Sequence, residues 1–247
     1  MLHGLSVWLP LGVALIALVY SMVGHGGASG YLALLALSPL LPREVAIAAL
    51  LINLVVAGTS FVLYHLARHF SWRLAWPFLA SSVPLAFVGS RWHLSAPVYY
   101  WIVGAVLLAS GVRLFWIGPS QTAAVPAPLP GVPVRLGTGA GIGLLSGVVG
   151  VGGGIFLSPV LLLARWATAK QTSAVSAIFI VANSAAGLAG RLQDGGTVRP
   201  ETMVLMVAGL AGALTGSYVG AFPLGQRALQ RALAVVLIVA AVKLLVR

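Results

Sequence analysis

Two clusters of glycine are the residues of this sequence whose type and spacing could bind a ligand. Residues 147–159 read GVVGVGGGIFLSP, and a weaker copy, GHGG, occurs at residues 24–27. Successive glycines leave the backbone free to aim several N–H groups at one point, and a helix that starts just after them adds the positive end of its dipole. Such a site binds an anion without a full positive charge. Anion contacts are therefore predicted at Gly24, His25, Gly26, Gly27, Gly150, Gly152, Gly153 and Gly154.

Four polar side chains could complete such a site. Asn53 and Asn183 align with each other, and an amide within lipid needs a partner, so both should face the interior, either to contact substrate or to bond a second helix. Gln171 precedes a predicted helix, where its amide either joins the anion site or caps the helix. His25 is the one ionisable side chain predicted at mid-depth, and histidine titrates near neutral pH. It carries a coupling proton, pairs with the anion once protonated, or stays neutral and bonded to a helix carbonyl.

The composition places these residues in an integral membrane protein. Hydrophobic residues make up 60% of the 247 and charged residues 7%, with a mean hydropathy of +1.05, whereas soluble domains have about 25% charged residues. Apolar runs of about 20 residues predict membrane-spanning helices, not barrel strands. The formal net charge of +11 then indicates interface anchors that also attract anions, without nucleic-acid binding. Because cysteine is absent, thiol catalysis, disulfides and thiolate metal sites are excluded, and no metal or cofactor is predicted.

The chain is predicted to be all-α, with two homologous repeats of about four hydrophobic segments each. Residues 1–117 form repeat 1, residues 118–133 a Pro-rich linker and residues 134–247 repeat 2, because matching motifs recur in order at near-constant spacing. The first segment of each repeat contains the glycine cluster. It is either a span broken in the middle, which gives parallel repeats, or a re-entrant hairpin, which gives inverted repeats. Lys and Arg divide 8 to 6 between the two faces in both arrangements, so they decide neither the arrangement nor the orientation.

The remaining segments follow from apolar runs bounded by charge, Pro or Trp. Helices are predicted at residues 45–66, 74–89, 98–117, 174–192, 202–222 and 228–245. In the helix at residues 202–222, the stripe of Gly209, Gly212, Gly216 and Gly220 predicts close packing against another helix. Arg191, near a membrane face, either attracts anions electrostatically or, as is more usual, extends its guanidinium towards the membrane surface.

These features resemble the sulfite exporter TauE/SafE family of bacterial permeases. The resemblance rests on the GVGGG of residues 150–154 followed by Pro159, on the weaker copy at residues 24–27, and on the length and the four-plus-four hydropathy pattern. It covers nearly the whole chain. It implies a multi-pass inner-membrane transporter that moves sulfite, sulfoacetate or another small sulfur-containing or carboxylate anion, using the proton gradient. The implied partners are that anion and the lipid bilayer; the subunit number is left open, with a homodimer as one option.

Two other classes of protein share features with this sequence. Residues 27–30 spell the G-x-S-G found around the nucleophile of rhomboid-like intramembrane proteases. Ser29 would need a histidine on a neighbouring helix, but His65, His69 and His93 are predicted at helix ends. A proton-coupled cation carrier is the second class. Its oxygen ligands would have to be carbonyls, because the only acids, Glu44, Asp194 and Glu201, lie at segment ends. The chain is therefore interpreted as a transporter and not as an enzyme.

Overall fold

The computed structural model describes residues 8–35, 42–92 and 127–221, together with positions 97, 98, 101, 102, 104, 105, 108, 112, 238 and 242. Within these residues the chain forms helices and no strand. The helices are α1 (Trp8–Ser21), α2 (Ala28–Leu35), α3 (Pro42–Leu66), α4 (Trp72–Ser90), α5 (Val132–Val149), α6 (Gly154–Leu163), α7 (Ala169–Gln193) and α8 (Thr202–Ala221). Most of the segments predicted at residues 98–117 and 228–245, and the linker up to residue 126, lie outside the described residues.

The described helices suit a membrane protein. By length and composition, α3, α5, α7 and α8 could each cross a bilayer. Helix α1 is apolar but has 14 residues, or about 21 Å at 1.5 Å per residue, which is shorter than a hydrocarbon core of about 30 Å. The chain is thus an all-helical, multi-pass membrane protein over the part that the structure describes.

Four helices begin earlier than the sequence predicted, α3 by three residues, α4 by two, and α5 and α7 as follows. Helix α5 begins at Val132 with a proline in its first turn, so the last two residues of the predicted linker are helical. Proline suits this position because the first N–H groups of a helix have no internal partner. Helix α7 begins at Ala169, five residues before its predicted start, because Thr168 and Gln171 form a capping box there.

Glycine allows two pairs of helices to approach closely. Helix α1 packs on α8, and helix α4 packs on α5. A Cβ atom on the facing glycines would overlap carbonyl oxygens of the partner helix. These pairs are Gly212 with Ala14, Gly216 with Leu18 and Gly220 with Met22 for α1 and α8, and Gly143 with Ser82 and Gly147 with Ala86 for α4 and α5. The predicted packing role of the glycine stripe in α8 is therefore confirmed.

The same contacts give the relative directions of the helices. Along each of these two pairs, later residues of one helix contact later residues of the other. Helix α1 is therefore parallel to α8, and α4 is parallel to α5. Helix α3 is also parallel to α8, since Gly209 contacts Val56 and Ser217 lies 2.8 Å from Ser60, oxygen to oxygen. Helices α3 and α7 are antiparallel. Arg43 at the start of α3 donates to the carbonyl of Asp194 at the end of α7, and Asn53 in the middle of α3 donates to Ser184 of α7. The C-terminal ends of α4 and α7 also meet, since Arg191 of α7 donates to the carbonyl of Ser90 of α4. Helices α1, α3 and α8 therefore point one way, and α4, α5 and α7 the other.

The helices α2 and α6 each turn back towards the face from which the preceding helix came. In the first case, the hydroxyls of Ser29 and Tyr20 are 3.0 Å apart and Gly30 contacts Ile16, so α2 is antiparallel to α1. Helix α6 is antiparallel to α7, because Gly154 contacts Ile180, whereas Ser158, further along α6, bonds to a residue nearer the start of α7. Each glycine cluster is thus the tip of a hairpin and not a break within one straight span.

The ends of the helices define two faces. At the first, which we call the Glu44 face, Glu44 pairs with Arg199 (2.8 Å) and Asp194 with Arg91 (3.3 Å). At the opposite end, the Thr168 face, Lys170 donates to the carbonyl of Ala221 at 3.3 Å. The three acidic residues lie at helix ends, as predicted.

Candidate functional site

The two glycine turns meet one asparagine in the middle of the helix bundle. Asn53 is the twelfth of the 25 residues of α3, and it is 0% exposed. A Cβ on Gly26 would lie 2.5 Å from Asn53 Oδ1, and a Cβ on Gly152 would lie 2.9 Å from Asn53 Nδ2. Nδ2 donates long hydrogen bonds of 3.4 Å to the carbonyl of Val151 and to the hydroxyl of Ser184. The side chain of Asn53 therefore contacts the tips of both hairpins.

Ile180 occupies the corresponding position on α7. It is also the twelfth residue of a 25-residue helix, and its Cγ2 would lie 3.0 Å from a Cβ on Gly26 and 2.9 Å from one on Gly152. Asn183, which the sequence aligned with Asn53, is about one helical turn further along α7. It is buried, and its Nδ2 donates to the carbonyl of Phe179 in its own helix at 2.9 Å. The side chain that meets both turns from α7 is Ile180.

Two helices begin directly after the turns. Helix α2 starts one residue after Gly27, and α6 one residue after Gly153. Since α2 is antiparallel to α1 and α6 to α7, they run in opposite directions from a shared starting point near Asn53. The first N–H groups of each helix have no acceptor within the helix, and each N-terminus has a partial positive charge of about +0.5. Positive φ angles of 89° at Gly27, 72° at Gly152 and 82° at Gly153 shape the two turns, and glycine adopts them without steric cost.

Three buried polar atoms without a hydrogen-bond partner in the described part of the chain lie at the turns: Asn53 Oδ1, Tyr31 Oη and Ser146 Oγ. The other unpaired atoms among the described residues are Ser21 Oγ, Ser82 Oγ, Arg135 Nε, Thr172 Oγ1 and Asn183 Oδ1. Tyr31 Oη would lie 2.8 Å from a Cβ on Gly27, and Ser146 Oγ 3.2 Å from one on Gly153. Leaving such a group unpaired costs about 1–3 kcal/mol, so a cluster of them indicates a place where a ligand or water completes the bonding.

Sequence reasoning missed Tyr31, Ser146, Ile180 and Ser184 as residues of this region. Ser146 directly precedes the glycine stretch and Tyr31 follows the first turn by four residues, and these positions were the available signals. Ile180 is apolar, and Ser184 lies far from both turns along the chain.

Gly24 contacts the start of α7, and His25 bonds within its own turn. The Nδ1–H of His25, which is half-buried, donates to the carbonyl of Val23 at 2.8 Å. Gly24 packs against Ser173, whose hydroxyl donates to the same carbonyl at 2.8 Å. The contact of His25 closes its own turn, and both a neutral and a protonated imidazole can donate this hydrogen bond.

Gln171 is used in capping α7. Its side-chain oxygen accepts from the N–H of Thr168 at 3.0 Å, and its own N–H donates to the hydroxyl of Thr168 at 3.3 Å. Of the two roles considered from the sequence, the contacts show the cap.

A buried arginine lies beside the second turn. Arg191 is only 7% exposed and donates to the carbonyls of Gly147 at 2.9 Å, Val148 at 3.1 Å and Ser90 at 3.4 Å. It also lies next to Gly150. The expectation that its guanidinium extends to the membrane surface was wrong, because the ends of α4 and α5 bring together carbonyls that lack an intrahelical donor.

Tyr64 makes the corresponding contact at the first turn. Its hydroxyl donates to the carbonyl of Met22 at 2.7 Å, close to the Thr168 face. A donor from α3 thus holds the end of α1, and a donor from α7 holds the end of α5.

The contacts of Ser29 do not form a catalytic pair. Its hydroxyl is hydrogen-bonded to that of Tyr20, and no histidine of the described residues is among its partners. His65 lies at the end of α3 on the Thr168 face, and His93 is outside the described residues. The described ranges also contain no group of three His, Cys, Asp or Glu residues that could hold a metal ion.

Comparison with known proteins gives the family. The family profile for the sulfite exporter TauE/SafE matches residues 9–244. The probable membrane transporter protein y4hK of Sinorhizobium fredii is 34% identical over 243 residues, which cover 97% of this chain and 98% of that protein. No solved structure matches the chain. Since both similarities extend over nearly the whole length, the resemblance predicted from the glycine motifs is confirmed, and the chain belongs to the sulfite exporter TauE/SafE family of membrane transporters.

Proposed function

We propose that this transporter carries a small anion, sulfite or an organosulfonate, across the cell inner membrane and binds it between the two glycine turns. The observation that supports this most directly is the meeting of both hairpin tips at Asn53, with the N-termini of α2 and α6 beside them. Two positive helix ends attract an anion and repel a cation. The acidic side chains lie at the helix ends, away from Asn53, which further disfavours a cation carrier.

We also propose that the two halves are inverted repeats that give alternating access. Helices α1, α3 and α4 of the first half each run opposite to their counterparts α5, α7 and α8. The packing is reciprocal, with the first helix of each half against the last described helix of the other. Tyr64 holds the first hairpin near the Thr168 face, and Arg191 holds the second near the Glu44 face. Release of one hairpin at a time would open the site to one face at a time.

The proposed driving force is the proton gradient. The described spanning helices have no carboxylate at mid-depth, so two carriers of the proton remain: His25 or the substrate itself. The hydrogen bond from His25 to Val23 favours a structural role for this histidine.

Transport by purified protein in liposomes tests the proposal. Uptake of radiolabelled sulfite should be saturable, absent from protein-free liposomes, and faster with an inward proton gradient. Asn53→Leu, which removes the amide from both turns at similar volume, should abolish most of the uptake. Thr59→Val is the matched control, because among the described residues the Thr59 hydroxyl bonds to Val55 of the same helix, at 2.8 Å. Absence of uptake of both sulfite and methanesulfonate by folded protein would contradict the proposed function.

A further inference from the structure

We infer, on the basis of the proposed function, that the site binds its substrate as a monoanion that carries its own proton. For sulfite this form is hydrogen sulfite, HSO3−, and the dianion SO3²− is excluded. The proton that accompanies transport is then bound to the substrate, and no side chain of the protein has to carry it.

The charge at the site matches one negative charge. Two helix N-termini of about +0.5 each supply roughly one positive charge in total. The titratable and charged groups of the surrounding elements are Tyr20, His25 and Tyr31 of the first hairpin and Arg191 of α7, with the remaining ones at the helix ends. Both tyrosines are buried. The guanidinium of Arg191 keeps its positive charge, but its N–H groups point at three backbone carbonyls at the ends of α4 and α5. The two helix N-termini at Asn53 therefore balance the charge of a monoanion and only about half that of a dianion.

The side-chain oxygen of Asn53 can accept a hydrogen bond from a protonated substrate. This oxygen, Oδ1, is fully buried, has no hydrogen-bond partner in the described part of the chain, and faces the tip glycine Gly26. An oxyanion with lone pairs alone would repel this acceptor, whereas the O–H of hydrogen sulfite would donate to it. The remaining oxygens of the anion would accept from the first N–H groups of α2 and α6. A sulfonate has the right charge but lacks the donor, so it should bind less well than hydrogen sulfite.

This arrangement couples transport to protons without an acidic residue. Each hydrogen sulfite ion that crosses delivers one proton, which dissociates on the more alkaline side and leaves SO3²−. The net movement equals that of one SO3²− with one proton.

The pH dependence of KM in liposomes tests the inference with the unaltered protein. Above the pKa of hydrogen sulfite, KM for total sulfite should rise about tenfold for each pH unit, because the protonated fraction falls by that factor. Expressed as hydrogen sulfite concentration, KM should stay constant. KM for methanesulfonate, which remains a monoanion, should not change with pH. A flat KM for total sulfite, or a parallel rise for methanesulfonate, would overturn the inference, since the latter reports a titrating group of the protein.

Variants separate the roles of Asn53 and His25. In Asn53→Leu the preference for hydrogen sulfite over methanesulfonate, as a ratio of kcat/KM, should fall about tenfold with the loss of one hydrogen bond. Thr59→Val should keep the ratio. His25→Gln should keep the pH profile of sulfite transport, and a profile that becomes flat would overturn the inference. If Asn53→Leu does not fold, the pH series on the unaltered protein decides. Transport of both anions with a flat sulfite KM refutes this inference alone, whereas no transport of either refutes the proposed function.

Discussion

A single methyl group at the second hairpin tip should disturb both stability and transport. In Gly152→Ala, the new Cβ would lie 2.6 Å from Ser184 Oγ and 2.9 Å from Asn53 Nδ2, in a residue whose φ is 72°. Gly195→Ala is the matched control. Gly195 has a φ of 80° in the turn after α7, and a Cβ there would meet nothing within 4 Å. Both variants place alanine in the left-handed region, and only one of them adds a clash at the candidate site.

The two costs can be separated. A left-handed conformation costs a non-glycine residue about 1–2 kcal/mol, and overpacking a close-packed interior costs typically about 1–3 kcal/mol. Gly195→Ala should therefore lower the free energy of unfolding by about 1–2 kcal/mol. Gly152→Ala should lower it by about 2–5 kcal/mol, because both costs apply.

Thermal unfolding in detergent and transport in liposomes measure the difference. For a chain of this size, about 1 kcal/mol corresponds to about 2–4 °C in Tm, so Gly152→Ala should unfold several degrees below Gly195→Ala. Well below both transitions, Gly195→Ala should transport sulfite normally and Gly152→Ala should not, because Asn53 must move to admit the methyl group. Equal Tm values together with equal transport would refute the placement of Gly152 against Asn53.

Three further changes test other parts of the structure. Gly143→Ala should lower stability by about 1–3 kcal/mol, since its Cβ would overlap the backbone of α4. Gly141→Ala on the same helix, with open space, should raise it by up to about 1 kcal/mol, and equal Tm values would contradict the packing of α4 on α5. Arg191→Met should lower the free energy of unfolding by at least about 1.5–3 kcal/mol, the contribution of one hydrogen bond from a charged group, and Arg191→Lys should lower it by less. An unchanged free energy of unfolding in Arg191→Met would exclude a role for Arg191 at the helix ends. Ser29→Ala should retain transport, and labelling of Ser29 in the unaltered protein by a fluorophosphonate would support the protease instead.

The features that the sequence predicted correctly depend on local composition. Long apolar runs predicted the spanning helices, and α3, α4 and α8 end within one residue of their predicted ends. The glycine clusters predicted the two turns because no other residue type tolerates such backbone angles so readily. The start of α7 was placed too late because the run Thr168-Ala-Lys-Gln171 is polar. Its capping-box spacing was nevertheless visible and would have corrected the boundary.

The features that the sequence did not predict depend on contacts between distant segments. A hairpin and a broken span differ only in the direction of α2 and α6 relative to their neighbours, and the number of basic residues on each face is the same for both. Alignment by residue type paired Asn53 with Asn183. The residue opposite Asn53 is Ile180, three positions earlier, and an apolar residue in an apolar helix gives no signal of such a position. The burial of Arg191 likewise depends on where α4 ends, 101 residues away along the chain.

The helices α2 and α6 present like poles to each other across Asn53. Like charges repel, so these two positive ends disfavour their own approach. In the proposed transporter an anion between them would neutralise both ends at once and draw the two halves of the molecule together. The bound substrate would therefore also link the two halves, so the protein with bound anion should be more rigid than the protein without it.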